Sequence, residues 1–316
     1  MRAVRHVSVL DRVRDFFVAP SAPQLALEFS SVALNAARVE WVRGKPELRA
    51  LASEPLSEGA FVPTLEDVGF IRKEEIRDVA KRLLGRVGAT PSARTAIVVP
   101  DIAARFRLFA HDEVAAEPGK RESVIAFRMQ KLLPFTPADT RFASAWPRSS
   151  ADPVLGIGFS SAVLGGYEQV ATAFGLDVGL VETSSMALLR HLPLEGDVLL
   201  VRHDPTWLTV TLVRNGWPVS IRSFGSAVAR NPDEVRHEIS STAIFWRDRL
   251  SGEKLTSAFL HAADSWIESL GREVTSFFGS APQRVQPPAA LTVAGVPPAI
   301  ERSAAPALAL LSPASS

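Results

Sequence analysis

The sequence predicts an α/β chain built as two halves that face each other across a ligand cleft. Three observations predict it. Strand-like and helix-like patterns alternate along the 316 residues, as an α/β fold requires. The order hairpin, further strand, helix occurs twice, starting near Leu25 and again near Gly196. Between the two runs lies a strand, helix, strand, strand, helix, strand segment, the pattern of a compact insert with a crossover back to a sheet. The repetition is architectural, because no residue-by-residue internal repeat accompanies it.

Each element has a local signature. At the N-terminus, Leu10, Val13, Phe16 and Phe17 stand at helical spacing, and Pro20 and Pro23 end that segment. "LALEFSSVALNAARVE", Leu25 to Glu40, reads as two strands with a tight turn. "WVRGKPELRALASEPL" reads as a further extended stretch with a Gly-Lys-Pro turn. "KEEIRDVAKRLLGRVG" is a helix: Ile76, Val79, Ala80, Leu83 and Leu84 form one stripe, acids lead, basics trail, and Gly85 or Gly88 can end it. "TAIVVPD" is a buried strand. "RFRLFA" alternates Phe106, Leu108 and Ala110 against Arg105 and Arg107, as a half-buried strand does.

"KRESVIAFRMQKLLPFTP" follows as a helix with Ile125, Met129, Leu132 and Leu133 on one side, stopped by Pro134 and Pro137. "TRFASAWP" and "PVLGIGFS" are strands. Val163, Leu164, Tyr167, Val170, Ala171 and Phe174 mark a helix ending at Gly175, and "LDVGLVET" returns to strand. Residues 196–224 give three consecutive strands, with Asn215-Gly216 as the strongest hairpin signal in the chain. A long helix then starts with Asn231 as N-cap and Pro232 in the first turn. It buries Val235, Ile239, Thr242 and Trp246 and ends at Gly252. "LTSAFLHAADSWIESLGREV" reads as strand, turn and short helix. Seven prolines after Ala281 give irregular structure before a last short helix, "IERSAAPALALL".

Composition narrows the function classes. Apolar content is 47% and charged content 22%, ordinary for a chain with a real core. The net charge of +1 argues against a dedicated nucleic-acid binder, which would carry a concentrated basic face. There is no cysteine, so disulfides and thiolate metal sites are excluded. No run of about 18 apolar residues is present, and the first twenty residues hold four arginines without a continuous apolar core. A cytoplasmic protein is the expectation.

The common catalytic motifs are missing. The six histidines, His6, His111, His191, His203, His237 and His261, have no metal-ligand spacing and read as surface or turn residues. His203 and Asp204 are strand neighbours, so they should point to opposite faces. "LGIGFSS" holds Gly-x-Gly without the rest of a dinucleotide fingerprint and reads as a strand. No Gly-x-Ser-x-Gly elbow occurs. The six tryptophans read as packing residues.

"QKLLPFTPADTRFASAWP" carries a family resemblance. Its Lys131, Pro134 and Phe135 match the Lys-x-x-Pro-Phe phrase that ends a helix just before a strand in the PilM family of type IV pilus assembly proteins. Four further stretches resemble that family in the same order: "IVVPDIAARFRLF", "YEQVATAFGLDVGLVETSSMALLR", "LVRNGWPVSIRSF" and "ERSAAPALALL". The resemblance spans roughly Leu25 to Leu311. The cytoplasmic domain of the type II secretion L protein is a second relative of similar architecture.

The resemblance implies an actin-like ATPase fold of the FtsA kind with a small SHS2-type insert. Its implied layout is a basic, amphipathic tail over 1–20, a first half over 21–196 with the insert at about 105–175, a second half over 197–312, and a tail over 313–316. It also implies altered nucleotide positions. The first phosphate hairpin keeps an acid as Glu28, but Ser30 replaces glycine and Asn35 replaces lysine, with Ser31 in the turn. In the second hairpin, Arg202 stands where an acid belongs, followed by His203, Asp204 and Pro205. His261, Ala262 and Ala263 replace the glycine pair beside adenine.

The resemblance therefore implies a pseudo-ATPase scaffold with no catalytic residue and no metal ligand. No cofactor is expected, with weak binding of ATP or ADP with magnesium left open. The implied partner is a PilN-like single-pass inner-membrane protein. Its cytoplasmic N-terminal peptide would lie between the first half and the insert, near Arg105, Arg107, Leu132, Pro134 and Phe135. Other pilus assembly components would bind too, holding the chain at the inner face of the cytoplasmic membrane. The competing expectation is an enzyme: a divergent actin-like ATPase or a sugar-kinase-like phosphotransferase, with Glu182 or Asp204 as the acid.

Overall fold

The computed structural model describes residues 22–114, 117–147, 149–291 and 296–313. The helix expected around Leu10 to Phe17 lies outside the described residues. In chain order the strands and helices are β1 (Leu25–Phe29), β2 (Ala33–Val42), β3 (Lys45–Pro55), α1 (Lys73–Arg86), β4 (Arg94–Val99), β5 (Ala104–Phe109), α2 (Arg121–Gln130), β6 (Thr140–Ala145), β7 (Val154–Ser160), α3 (Ser161–Thr172), β8 (Asp177–Thr183) and α4 (Ser184–Leu189). Then follow β9 (Asp197–Asp204), β10 (Trp207–Arg214), β11 (Trp217–Phe224), α5 (Ser226–Ala229), α6 (Pro232–Leu250), β12 (Ser257–His261), α7 (Asp264–Phe278), β13 (Gln283–Arg284), α8 (Pro298–Ser303) and α9 (Ala305–Leu311).

The duplication is visible in the sheets. The first has the order β3-β2-β1-β4-β8 and the second β11-β10-β9-β12-β13. In each, an antiparallel three-strand meander is followed by two parallel strands. A crossover helix, α1 or α6, makes the return connection that a parallel neighbour requires. A third, antiparallel sheet, β5-β7-β6, is inserted between β4 and β8.

Alternation sets which face of the first sheet meets which helices. Leu25, Leu27 and Phe29 join the core that contains the α1 stripe and the α3 residues Val163, Leu164 and Tyr167. Ala26, Ala37 and Ala96 point the other way and pack with Ala187, Ala307 and Leu308. Small side chains on both partners let α9 approach the sheet closely. Glu28 shares this second face, and that places it at the cleft.

Several local expectations need correction. The turn after β2 is Arg43-Gly44, with φ of 51° and 78°, rather than Gly-Lys-Pro. Two consecutive left-handed residues make the tight hairpin, and Pro46 already sits in edge strand β3. Helix α6 ends on Ser251 in the left-handed conformation, one residue before Gly252. Helix α7 runs 15 residues, longer than expected, and buries Leu270, Val274 and Phe278. Leu132 is exposed, because α2 stops at Gln130 and the chain turns there. The tight spacing of β7 against α2 explains "LGIGFSS": a Cβ at Gly158 would lie 2.7 Å from Leu133, and one at Gly156 2.9 Å from Met129.

Candidate functional site

Two short turns meet where the two halves face each other. The first joins β1 to β2. Its Ser30 side chain is used locally: the hydroxyl donates to the Ala33 carbonyl at 2.9 Å and accepts the Ala33 N–H at 3.2 Å. The second joins β9 to β10 through Pro205 and Thr206. Asp204 Oδ1 accepts the Thr206 N–H and hydroxyl, both at 2.9 Å, which makes a self-capped Asx turn.

The two turns are bonded to each other. The Ser31 backbone N–H donates to Asp204 Oδ2 at 3.0 Å, and the Ser31 hydroxyl donates to Oδ1. Asp204 therefore accepts four hydrogen bonds, two from each turn, and is only 2% exposed. A buried carboxylate is tolerable on that condition.

A second link lies beneath the first. Arg202 Nη2 is 3.8 Å from Glu28 Oε1, and both side chains are buried. That distance is long for an ion pair, and Arg202 also donates from Nη1 to the His203 carbonyl at 3.0 Å. The Asn35 amide reaches Glu28 Oε2 at 3.3 Å and the Ser303 carbonyl at 3.2 Å, tying the first hairpin to the end of α8. Burial pushes the Glu28 carboxyl up to about 7, against the lowering pull of Arg202, Asn35 and the Ala307 backbone. At neutral pH the pair is therefore only partly charged.

Both cleft histidines are buried, contrary to the surface placement expected from sequence. His261 Nε2 donates to the Arg302 carbonyl at 2.9 Å. Burial, with Arg202 beside it, holds that imidazole well below its usual pKa. His203 points to the opposite face from Arg202, as alternation requires. Its Nε2 donates to the Ala229 carbonyl at 2.8 Å, and its ring lies 4.1 Å from that of Trp266. Burial lowers its pKa too. Each ring bonds a carbonyl through Nε2 only, its Nδ1 having no hydrogen-bond partner among the described residues, and burial favours the uncharged form of both.

What remains open in the cleft is a cavity of about 250 Å³. Ser30, Arg202, Asp204, His261, Ala262 and Arg302 are among its lining residues. Glu182 is not among them. It sits at the end of β8 in an apolar pocket with Met186, Leu189 and Trp217, where burial raises its carboxyl to about 7. The two acids proposed for an enzyme are thus not brought together. Among the described residues no group of three or more His, Cys, Asp or Glu side chains could hold a metal.

A second concavity, of about 480 Å³, lies between the first half and the insert. Its walls are the outer strands of two sheets, β8 and β6. Phe142, Phe159 and Leu164 are apolar residues lining it, and Arg141 pairs with Glu168 at 2.6 Å. The ladder between β4 and β8 slips at Thr95/Ala96, which leaves Gly179 as an extra residue on the β8 side. Arg105 and Arg107 are instead exposed on β5, the opposite edge of the insert sheet. Leu132, Pro134 and Phe135 follow α2, where the Gln130 amide donates to the Phe135 carbonyl. None of these five residues lines the concavity.

No family model matches the chain, and no curated protein matches it in sequence. Among solved structures it is similar to a chain of a PilM–PilN type IV pilus biogenesis complex, at 19% identity over 92% of this chain and 98% of that one, with a TM-score of 0.73. The fold is actin-like. A second similar structure, a Bacteroides thetaiotaomicron protein with an actin-like ATPase fold and unknown function, agrees: 9% identity, 82% of this chain, 91% of that one, TM-score 0.51. In an actin-like frame the two bonded turns are the paired hairpins that face the cleft from either half. Among the described residues no helix is long and apolar enough to cross a membrane.

Proposed function

We propose that this chain is a PilM-like scaffold of type IV pilus assembly. It captures the extended cytoplasmic segment of a PilN-like membrane protein and does not hydrolyse ATP. The observation that carries the partner reading is the open concavity between two free strand edges. An extended segment can add to β8, which has no strand neighbour on its outer side among the described residues, while its side chains pack on Phe142 and Leu164. The match to nearly the full length of the PilM–PilN structure's chain supports the same reading. Through that partner the scaffold is held at the inner face of the cytoplasmic membrane.

The bonded turns support the absence of ATPase activity. Phosphates enter such clefts by contacting backbone N–H groups at close range. Here the Ser31 N–H is already donated to Asp204, and Pro205 has no N–H to give. Binding a nucleotide there would require breaking a buried, fully satisfied carboxylate network.

The test is calorimetry with the N-terminal cytoplasmic peptide of a PilN-like membrane protein from the same organism. Micromolar binding is expected. Val178→Arg, at the half-buried edge of β8, is expected to weaken it at least tenfold while leaving the far-UV spectrum unchanged. Undiminished binding by a folded Val178→Arg variant removes the proposed groove.

A further inference from the structure

We infer that the outer face of the insert, formed by α2 and the exposed arginines of β5, docks directly on an anionic lipid surface. This goes beyond the scaffold reading, in which membrane contact comes only through a partner, and does not depend on it. Three features carry it.

The first is the outer side of α2. Ile125 and Met129 point into the core of the insert. Phe127, two positions from each, lies on the opposite side of the helix and is 64% exposed. Leu132, just past the helix end, is 41% exposed. Arg128 and Lys131 are exposed beside them, and the Lys131 ammonium lies 4.5 Å from the centre of the Phe127 ring. The one carboxylate of α2, Glu122, reaches β6 instead, where it accepts the Ser144 hydroxyl at 2.9 Å.

The second feature is β5. Arg105 and Arg107 pair across the ladder with Gly158 and Gly156, and directly opposed residues share a sheet face. That face is the one α2 covers, because a Cβ at either glycine would meet Met129. Both arginines are exposed there. The third feature is charge. Arg105, Arg107, Arg128 and Lys131 have no ion-pair partner among the described residues, whereas the neighbouring Lys120 and Arg141 are paired with Glu117 and Glu168.

One exposed phenylalanine needs no explanation. One flanked by cations that answer to no carboxylate fits the boundary of a bilayer. The ring enters the acyl edge, while the long basic side chains reach back to the lipid phosphates. A polypeptide partner would need a groove or a free strand edge, and the outer side of a helix offers neither.

The experiment is co-sedimentation of the whole chain, without any partner protein, with phosphatidylglycerol–phosphatidylcholine vesicles and with pure phosphatidylcholine vesicles. Binding to the anionic vesicles is expected, weakening as salt is raised. Because the first twenty residues hold four arginines as well, variants decide which surface binds. Arg128→Glu/Lys131→Glu is expected to lower partitioning about tenfold or more, and Phe127→Ser about threefold or more. All three positions are exposed, so far-UV spectra should be unchanged. Arg77→Glu/Arg272→Glu makes the same charge change at exposed sites on α1 and α7 and should lower partitioning much less. The inference is overturned by equal binding to both vesicle types, by undiminished binding of either folded face variant, or by an equal loss in Arg77→Glu/Arg272→Glu. Binding to poly-glutamate with none to vesicles would assign the face to an acidic polypeptide and overturn it too. None of these outcomes bears on peptide capture, which is read separately by calorimetry.

Discussion

The bond between Ser31 and Asp204 spans 173 residues and joins the two halves, so its strength can be isolated by a double-mutant cycle. The perturbations are Ser31→Ala and Asp204→Ala, singly and together. Ser31→Ala removes the hydroxyl donor and leaves the backbone N–H on Oδ2. A hydrogen bond to a charged group contributes about 1.5–3 kcal/mol. Asp204→Ala also abolishes the two Thr206 bonds and should cost about 3–5 kcal/mol in all, the scale of breaking a buried charged network. Thr206 has no part in the Ser31→Ala change, so the Thr206 terms cancel in the cycle. The expected coupling is therefore about 1.5–3 kcal/mol. Urea unfolding followed by both tryptophan fluorescence and far-UV dichroism is the assay, with coincident transitions as the condition for using it. A coupling below about 0.5 kcal/mol, the usual error of additivity, would refute the claim that the turns are energetically joined.

Two further expectations concern stability. Glu182 is raised from 4.5 to about 7 by burial, so its neutral form suits the folded state. Its stabilising contribution is complete below the unfolded pKa and is lost as pH rises through about 7, a change of about 3 kcal/mol. Glu182→Gln should flatten the stability profile between pH 4.5 and 7 by that order; an unchanged slope in urea titrations would contradict it. Gly158→Val places a branched side chain where Leu133 already lies 2.7 Å from a bare Cβ. Overpacking there should cost about 1–3 kcal/mol, read as a lower urea midpoint, whereas Gly165→Ala, open to solvent, should not lower it comparably.

The α1 stripe could be read position by position, since all five of its predicted residues are buried on one face. Asn215-Gly216 gave the right turn, with both residues left-handed. The Asn231 cap was legible too, its side chain accepting the Asp233 N–H at 3.0 Å. Leu132 went astray because helical spacing was extended two residues past the true end of α2. The cleft histidines went astray because burial of an imidazole depends on a carbonyl that comes from elsewhere: Arg302 for His261, Ala229 for His203. Asp204-Pro205-Thr206 carries an Asx-turn signal that could have flagged the acid as structural.

The sequence by itself determined the two-half α/β architecture and the insert between β4 and β8. Hydrophobic period, caps and turn residues act over a few positions, so each is written locally. Only the tertiary structure decided what the cleft residues do. Ser31 and Asp204, Glu28 and Arg202, and Asn35 and Ser303 are far apart in the chain and meet because two similar sheets face one another. Their effect on one another depends on distance and burial. Those quantities turn an opening hairpin with no glycine into one side of a cleft whose two turns are bonded to each other.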